Sequence, residues 1–321
     1  MVNERFVSTA PIGQMAIDIL SSRAPVEISP STSHESVVSL MEGTIGLICR
    51  AETYIDGRIL DAGKNLKVLG RPGVGYDSVD VVAATERGIP LIYAPVGGFA
   101  VAEWAMAAML ALAKRIIECN QMVKLDKWSQ RYSLELDDMT EKTLGIVGFG
   151  RIGQHLAGLA APFGMRIVAY DPFVDKKLAS AQNVELLDLE SLLKTSDYVS
   201  LHPALNDSSR GLIKSEHMQV IKKGAILINA SRGGVVENLE ILADALDEGV
   251  LSGVALDVFP EEPPVYPHRI FEHPMCLCAP HMAGLSKLAM LRILKSMAND
   301  MLAVVGGNIP KYCVNPEVLN K

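Results

Sequence analysis

The stretch Leu144-Gly-Ile-Val-Gly-Phe-Gly-Arg-Ile-Gly153 decides the fold. It holds Gly148-x-Gly150-x-x-Gly153, a pattern that glycines produce often by chance. Here an apolar, strand-like run (143–148) precedes it and an apolar, helix-like run (152–163) follows it, which is the context that gives the pattern a mechanism. Gly148 permits the tight turn, Gly150 lets backbone approach a pyrophosphate, and Gly153 lets helix and strand pack closely. The amides that open the helix then face the phosphate charge. The next strand-like run, 166–170, ends at Asp171, which lies 171 − 150 = 21 residues after Gly150. About 20 is the spacing expected for the acid that binds the ribose hydroxyls. Its charge would repel a 2′-phosphate, and Pro172 and Phe173 add no compensating cation. NAD is therefore expected over NADP.

Outward from this unit, strand-like runs continue at 198–201, 225–229, 253–256 and 275–278, with helix-like stretches between them, most clearly 237–248. Six strands alternating with helices match a doubly wound dinucleotide-binding sheet. Upstream, 44–49, 66–70 and 89–93 read as buried strands and 78–88 as a helix ending at a glycine, predicting a second parallel sheet. Residues 101–119 read as one long helix, apolar on all sides. A polar segment, 124–141, carries Trp128 and Tyr132 and reads as an arm.

The 321 residues suit about two domains. A net charge of −7 lacks the basic footprint of a nucleic-acid binder. The most apolar stretch, 104–113, is half of what a membrane span needs. The N-terminus MVNERFVSTA has no signal-peptide pattern. Five cysteines, Cys49, Cys119, Cys276, Cys278 and Cys313, have no metal-type spacing. Cys276 and Cys278 sit in an apolar run where successive side chains alternate faces. All five are read as reduced thiols packed in the core, with no metal or redox pair, in a cytoplasmic protein.

Three polar residues stand at the ends of successive second-series strands: Arg232 in Asn229-Ala-Ser-Arg-Gly-Gly234, the acidic loop from Asp257 to Pro263, and His281 after Pro280. Singly, each reads as a surface charge or a structural histidine. Together at the carboxyl edge of a parallel sheet they face the ligand crevice. Hydride transfer to a keto acid needs a proton donor at the oxygen and a cation for the carboxylate, and a histidine with a carboxylate partner plus an arginine supplies both.

These residues carry a resemblance. With Lys67-Val-Leu-Gly-Arg-Pro-Gly-Val-Gly-Tyr-Asp77, Lys142 to Gly153, Asn229 to Gly234, Leu256-Asp-Val-Phe-Pro-Glu-Glu-Pro263 and Pro280-His281 in this order, the chain resembles the D-isomer-specific 2-hydroxyacid dehydrogenases. That family includes D-3-phosphoglycerate dehydrogenase. The resemblance implies Arg232 as substrate clamp, Glu262 as the carboxylate partner and His281 as acid/base. Glu262 rather than Glu261 is chosen because the family's acid directly precedes the proline, and a glutamate there argues against the formate dehydrogenase branch. It further implies Asp257 on the nicotinamide carboxamide. Arg151, Ile152, Ala230 and Gly284 join Gly148, Gly150, Gly153 and Asp171 in the cofactor set. The backbone amides of Val74 and Gly75 would meet the substrate carboxylate. Arg50 and Arg71, at strand ends facing the expected cleft, suit a second anionic group such as phosphate or sulfonate.

The implied architecture is a Rossmann NAD domain, 98–284, inserted into a flavodoxin-like substrate domain, 1–97 plus 285–321. The implied partners are a small 2-hydroxy or 2-keto acid and a second copy in a homodimer built on the long helix and arm, with no nucleic acid or membrane. The chain ends where longer phosphoglycerate forms continue into a regulatory domain, so serine feedback is not expected. Two departures stand out. The segment 94–103 is one residue shorter than the family's loop and lacks its asparagine. In His202-Pro-Ala-Leu-Asn-Asp-Ser-Ser-Arg210, Asn206 replaces a threonine and the proline is displaced. The alternatives are an enzyme specific for D-3-phosphoglycerate in serine synthesis and an NAD(H)-sensing, corepressor-like binding protein.

Overall fold

The computed structural model describes residues 4–320. The start of the MVNERFVSTA reading, residues 1–3, and Lys321 lie outside them. Twelve strands are present among the described residues: β1 (Arg5–Ser8), β2 (Val26–Ile28), β3 (Thr44–Ile48), β4 (Val68–Arg71), β5 (Leu91–Tyr93), β6 (Thr143–Val147), β7 (Arg166–Tyr170), β8 (Glu185–Leu186), β9 (Tyr198–Leu201), β10 (Ala225–Asn229), β11 (Leu251–Leu256) and β12 (Cys276–Cys278). They form two sheets, in orders β2-β1-β3-β4-β5 and β12-β11-β10-β9-β6-β7-β8. All pairings within them are parallel.

The chain divides into two compact units, residues 1–97 with 286–321 and residues 98–285. In each, the central strands are buried on both faces, as a parallel sheet covered by helices requires. Every residue of β3, β6 and β10 is buried. The first unit's core gathers Val7, Leu47, Leu69 and Leu91 around its sheet. Helix Lys287–Val305 crosses that sheet, and its Met301 Sδ lies where a Cβ on Gly70 of β4 would stand. The second unit's core gathers Ile146, Val199, Leu227 and Val254. Its helix Gly98–Ala113 packs on helix Arg151–Ala160 and on β10.

Several elements depart from the sequence expectations. The first sheet has five strands because β1 and β2 join it, and the second has seven because the two-residue β8 caps its edge. The helix expected over 101–119 is two helices, Gly98–Ala113 and Ile116–Lys124. Arg115 between them has φ 49°, the left-handed conformation that ends helices. Its Nε donates to Glu118 Oε1 at 2.6 Å, which holds the break. The cysteines also differ from the core reading. Cys49 alone is fully buried, Cys119, Cys276 and Cys313 are half-buried, and Cys278 is exposed. The reason for the 276–278 pair is position, since β12 is an edge strand with only β11 beside it.

Candidate active site

The second sheet reverses its order at β6, where β7 lies on one side and β9 on the other. Ligands of doubly wound folds bind outside the carboxyl ends of the strands at such a switch point. The loop after β6 is the glycine loop. Gly148 has φ +91°, and a Cβ there would lie 2.7 Å from Pro203 N and 2.8 Å from the carbonyl carbon of His202, in the loop after β9. A Cβ on Gly153 would lie 2.4 Å from the carbonyl oxygen of Gly148. These two glycines are thus required by the protein's own packing. Gly150 differs, because a Cβ built there meets nothing within 4 Å. It is also the N-cap of helix Arg151–Ala160 and has no side chain to close the turn. Open space beside the uncapped amides of a helix start is the cradle that a pyrophosphate needs. The residues present fit a dinucleotide.

Asp171, at the end of β7, accepts from Phe149 N and from Phe173 N, both at 2.9 Å. Its carboxylate is therefore fixed by the glycine loop on one side and its own turn on the other. We expect Asp171→Ala to lower the ratio of kcat/KM with NAD over NADP by about tenfold, or ~1.4 kcal/mol of discrimination. The ratio is the informative readout, because loosening the loop alone would weaken both cofactors alike. An unchanged ratio would remove the ribose role. His202, beneath the glycine loop, has its Nε2 2.8 Å from Ser200 Oγ, and burial pushes its imidazole down to about 4. It is a neutral packing group near neutral pH.

The second unit also brings Arg232, Glu262 and His281 to the ends of β10, β11 and β12. His281 Nδ1 lies 2.6 Å from Glu262 Oε2. An ionised carboxylate only accepts, so Nδ1 carries the hydrogen and Nε2 is the ring's outward atom. Glu262 Oε1 accepts from Phe259 N at 3.1 Å. Burial pushes the Glu262 carboxyl up, but the hydrogen bonds from His281 and Phe259 and the charges of His281 and Arg232 together hold it below the ordinary glutamate value. It therefore stays ionised beside the imidazole through mild acid.

Three residues support these side chains from behind; the sequence singles out only Asp257, and for a different contact. Asn229, 1% exposed, accepts from Ser231 N at 3.1 Å and Ser231 Oγ at 2.9 Å, and its amide donates to the carbonyl of Arg232 at 3.0 Å. It fixes the turn that aims Arg232, whose Nη1 donates to Ser231 O at 2.7 Å. The available signal was an asparagine two residues before a serine at a strand end, an Asx-turn pattern. Asp257, also 1% exposed, accepts from Met282 N at 2.7 Å and Ala283 N at 2.9 Å. Burial raises its carboxyl above the ordinary aspartate value, although both amides counteract this. Asp257 therefore anchors the turn that carries His281, whatever else its remaining lone pairs accept. The third support is Gly233, where a Cβ would lie 1.9 Å from the carbonyl carbon of Phe259. Only a residue without a side chain lets the Arg232 turn touch the Phe259–Glu262 loop. Of the other residues expected from the sequence at the cofactor, Ala230 is buried just after β10, and a Cβ on Gly284 would make only ordinary contact with Val101.

The first unit presents the other sequence-predicted contacts at the carboxyl edge of its own sheet. Arg50 follows β3, and its backbone N donates to Thr9 Oγ1 at 3.0 Å. The Arg50 side chain lies 3.8 Å from Glu52, a loose pair, and its buried Nε has no hydrogen-bond partner. Arg71 closes β4 and donates to Pro72 O at 2.8 Å. Val74, 47% exposed, and Gly75 lie in the loop that follows. No cluster of three or more metal-ligating side chains occurs among the described residues. No described helix is long and apolar enough to cross a membrane.

The chain is similar to known proteins over most of its length. Residues 106–283 match the family model described as the NAD binding domain of D-isomer specific 2-hydroxyacid dehydrogenases. The glyoxylate reductase of Thermofilum pendens is 36% identical over 294 residues, covering 89% of this chain and 86% of that protein. The D-3-phosphoglycerate dehydrogenase of Synechocystis is 34% identical over 316 residues, covering 97% of this chain. The chain spans only 56% of the Synechocystis protein's length. Among solved structures, the D-lactate dehydrogenase of Aquifex aeolicus, complexed with NAD and lactic acid, superposes with a TM-score of 0.86 at 25% identity, covering 97% of this chain and 99% of that one. With a family model matched over more than half its length, and a relative at 36% identity of which it covers 86%, the chain belongs to the D-isomer specific 2-hydroxyacid dehydrogenase family.

Proposed function

We propose that this protein is an NAD-dependent dehydrogenase that interconverts a D-2-hydroxy acid and its 2-keto acid. The observation that carries the reading is the 2.6 Å contact between His281 Nδ1 and Glu262, which leaves Nε2 as the proton-transfer atom. Bound NAD supplies or accepts the hydride. In oxidation, His281 Nε2 takes the hydroxyl proton, and Glu262 stabilises the imidazolium that results. In reduction the same nitrogen returns a proton to the carbonyl oxygen. Arg232 offers a planar cation that grips a carboxylate and polarises the neighbouring carbonyl. Asp171 and the glycine loop hold the cofactor, with Arg151, Ile152, Ala230, Asp257 and Gly284 as its further contacts. The amides of Val74 and Gly75 are the further groups proposed for a substrate carboxylate.

Arg50 reads a second anion on the substrate. Its buried, unpartnered Nε and loose pairing with Glu52 support this, and the phosphoglycerate relative gives the idea a precedent. A kinetic panel tests both readings. Purified protein with NADH should reduce at least one of pyruvate, glyoxylate, hydroxypyruvate, its phosphate, sulfopyruvate and branched 2-keto acids. Binding of NADH with no reduction of any would instead support a dinucleotide-sensing binding protein. Within the panel, Arg50→Ala should cost about tenfold in kcat/KM on phosphorylated or sulfonated substrates and far less on lactate-sized ones. Equal losses would deny Arg50 the distal anion.

The protein is a cytoplasmic homodimer in this reading. Five free thiols support the compartment. Exposed Ile116, Ile117, Val123, Leu125, Trp128 and Leu136 along helix Ile116–Lys124 and the arm support self-association. Light scattering should give twice the 34.6 kDa chain mass, and a monomer at micromolar concentration would refute the dimer. Recovery of the native protein outside the cytoplasmic fraction would refute the compartment.

A further inference from the structure

Cys276 and Cys278 take no part in the site described above, yet they stand just before it. Residues two apart on a strand share a face, and here the two sulfurs are 3.6 Å apart. Cys278 is exposed and Cys276 half-buried. No third metal-ligating side chain joins them among the described residues, so the chemistry that the pair supports is oxidation to a disulfide. Bonded sulfurs stand about 2.05 Å apart, so closure must draw them together by about 1.5 Å. Two residues of extended strand span about 6.6 Å, near the upper limit of about 6.8 Å between the Cα atoms of a disulfide. Closure therefore shortens and sharpens the strand. An edge strand tolerates this, because only the β11 ladder, Val254 with Cys276 and Leu256 with Cys278, has to yield.

The consequence lies downstream. Ala279 N donates to Leu256 O at 2.8 Å, and His281 N donates to Asp257 O at 2.8 Å and Ala279 O at 3.0 Å. Met282 and Ala283 hang from the Asp257 carboxylate. A strand that shortens at 276–278 pulls on this run of bonds at its start. His281 has φ 54°, a conformation costly for a residue with a side chain and kept only where its surroundings enforce it.

We propose that Cys276 and Cys278 form a reversible intrachain disulfide on exposure to hydroperoxides, and that its closure loosens the turn carrying His281. The Cys278 thiolate attacks the terminal peroxide oxygen. The O–O bond breaks, leaving a sulfenic acid on Cys278. The departing hydroxide, or alkoxide from an alkyl hydroperoxide, takes up the proton that the Cys278 thiol had released and leaves as water or alcohol. The Cys276 sulfur then attacks the Cys278 sulfur, the S–S bond forms, and the hydroxyl leaves as water with the Cys276 proton. Two thiols lose two electrons and one peroxide gains them. The order follows from exposure, since Cys278 is exposed and Cys276 half-buried. The contact between the sulfurs, in which either can donate, holds the Cys278 thiol below its ordinary value, and the same contact together with burial pushes Cys276 up.

Loss of turnover on closure rests on the proposed dehydrogenase function, but the disulfide and the loosening do not. The full chain is treated with hydrogen peroxide, then followed by peptide mass and by backbone hydrogen exchange. The peptide holding both cysteines should lose two hydrogens. Exchange at residues 281–283 should quicken about tenfold, and a dithiol reductant should reverse both changes. Cys278→Ser, untreated, should match the wild type in exchange and turnover, and under peroxide should show neither change. Oxidation that stops at Cys278 oxyacids would overturn the proposal, as would a disulfide that leaves exchange at 281–283 unaltered. If both changes occur in a protein that reduces no 2-keto acid even when fully thiol, the switch stands and the dehydrogenase reading falls.

Discussion

His281→Ala should lower kcat by about 10²–10⁴-fold, the usual worth of a positioned acid/base, with NADH affinity nearly unchanged. The separation follows from geometry. The proposed cofactor cradle, Gly148, Gly150, Gly153 and Asp171, lies around β6 and β7, whereas His281 follows β12 at the other end of the sheet order. The imidazole's side-chain partner is Glu262, at 2.6 Å. Alanine keeps the Cβ that makes the left-handed backbone of residue 281, φ 54°, costly, so removing the ring relieves nothing there. Asp257 still holds Met282 and Ala283, so the fold should survive. Stopped-flow fluorescence for NADH binding and steady-state turnover separate the two effects. Turnover within a few-fold of wild type would remove His281 from acid/base work.

Gly233→Ala should do comparable damage from a residue that has no chemistry. Its Cβ would stand 1.9 Å from the carbonyl carbon of Phe259, 2.1 Å from that oxygen and 2.2 Å from Pro260 N. All three are backbone atoms, which cannot rotate away as a side-chain tip can. To reach ordinary contact near 3.4 Å, the two loops must part by about 1.5 Å. Misplacement of about 1 Å costs on the order of 10²-fold in rate, and overpacking of this kind costs about 1–3 kcal/mol of stability. The parted loops carry Arg232 and Glu262, so both the proposed carboxylate clamp and the imidazole's partner shift. NADH binding should again persist. The contrast is Gly150→Ala, where open space surrounds the new methyl: that variant should fold normally and fail in cofactor affinity. Gly233→Ala with wild-type kcat would show that the loops tolerate separation.

Much of this was legible in the sequence because the relevant signals are local. The glycine loop, the acid 21 residues on and the strand ends with polar residues each lie within a short window, and periodicity identified the central strands. What escaped notice depends on neighbours distant in the chain. β1 and β2 are four and three residues long, too short to show a period, and they become strands only by pairing in the first sheet. Arg115 breaks a helix inside an apolar run because its side chain finds Glu118, which no propensity distinguishes from continuation. Gly233 looks like one of two adjacent loop glycines until the Phe259 backbone is placed against it. The Asp257 carboxylate reads as a ligand contact in the sequence, and only the folded chain shows both oxygens anchoring the turn of His281. Cys276 and Cys278 looked like core residues because their run is apolar, but an edge position exposes what a central strand would bury.

The central claim is transfer of hydride to one face of a 2-keto acid, with His281 delivering the proton. Its most direct test is the configuration of the product. Wild-type protein is incubated with NADH and its fastest 2-keto acid, and the hydroxy acid is resolved by chiral chromatography. The expected product is the D-2-hydroxy acid, formed in equal amount to the NADH consumed and abolished by His281→Ala. An L or racemic product would contradict it, as would NADH consumption that survives the loss of His281.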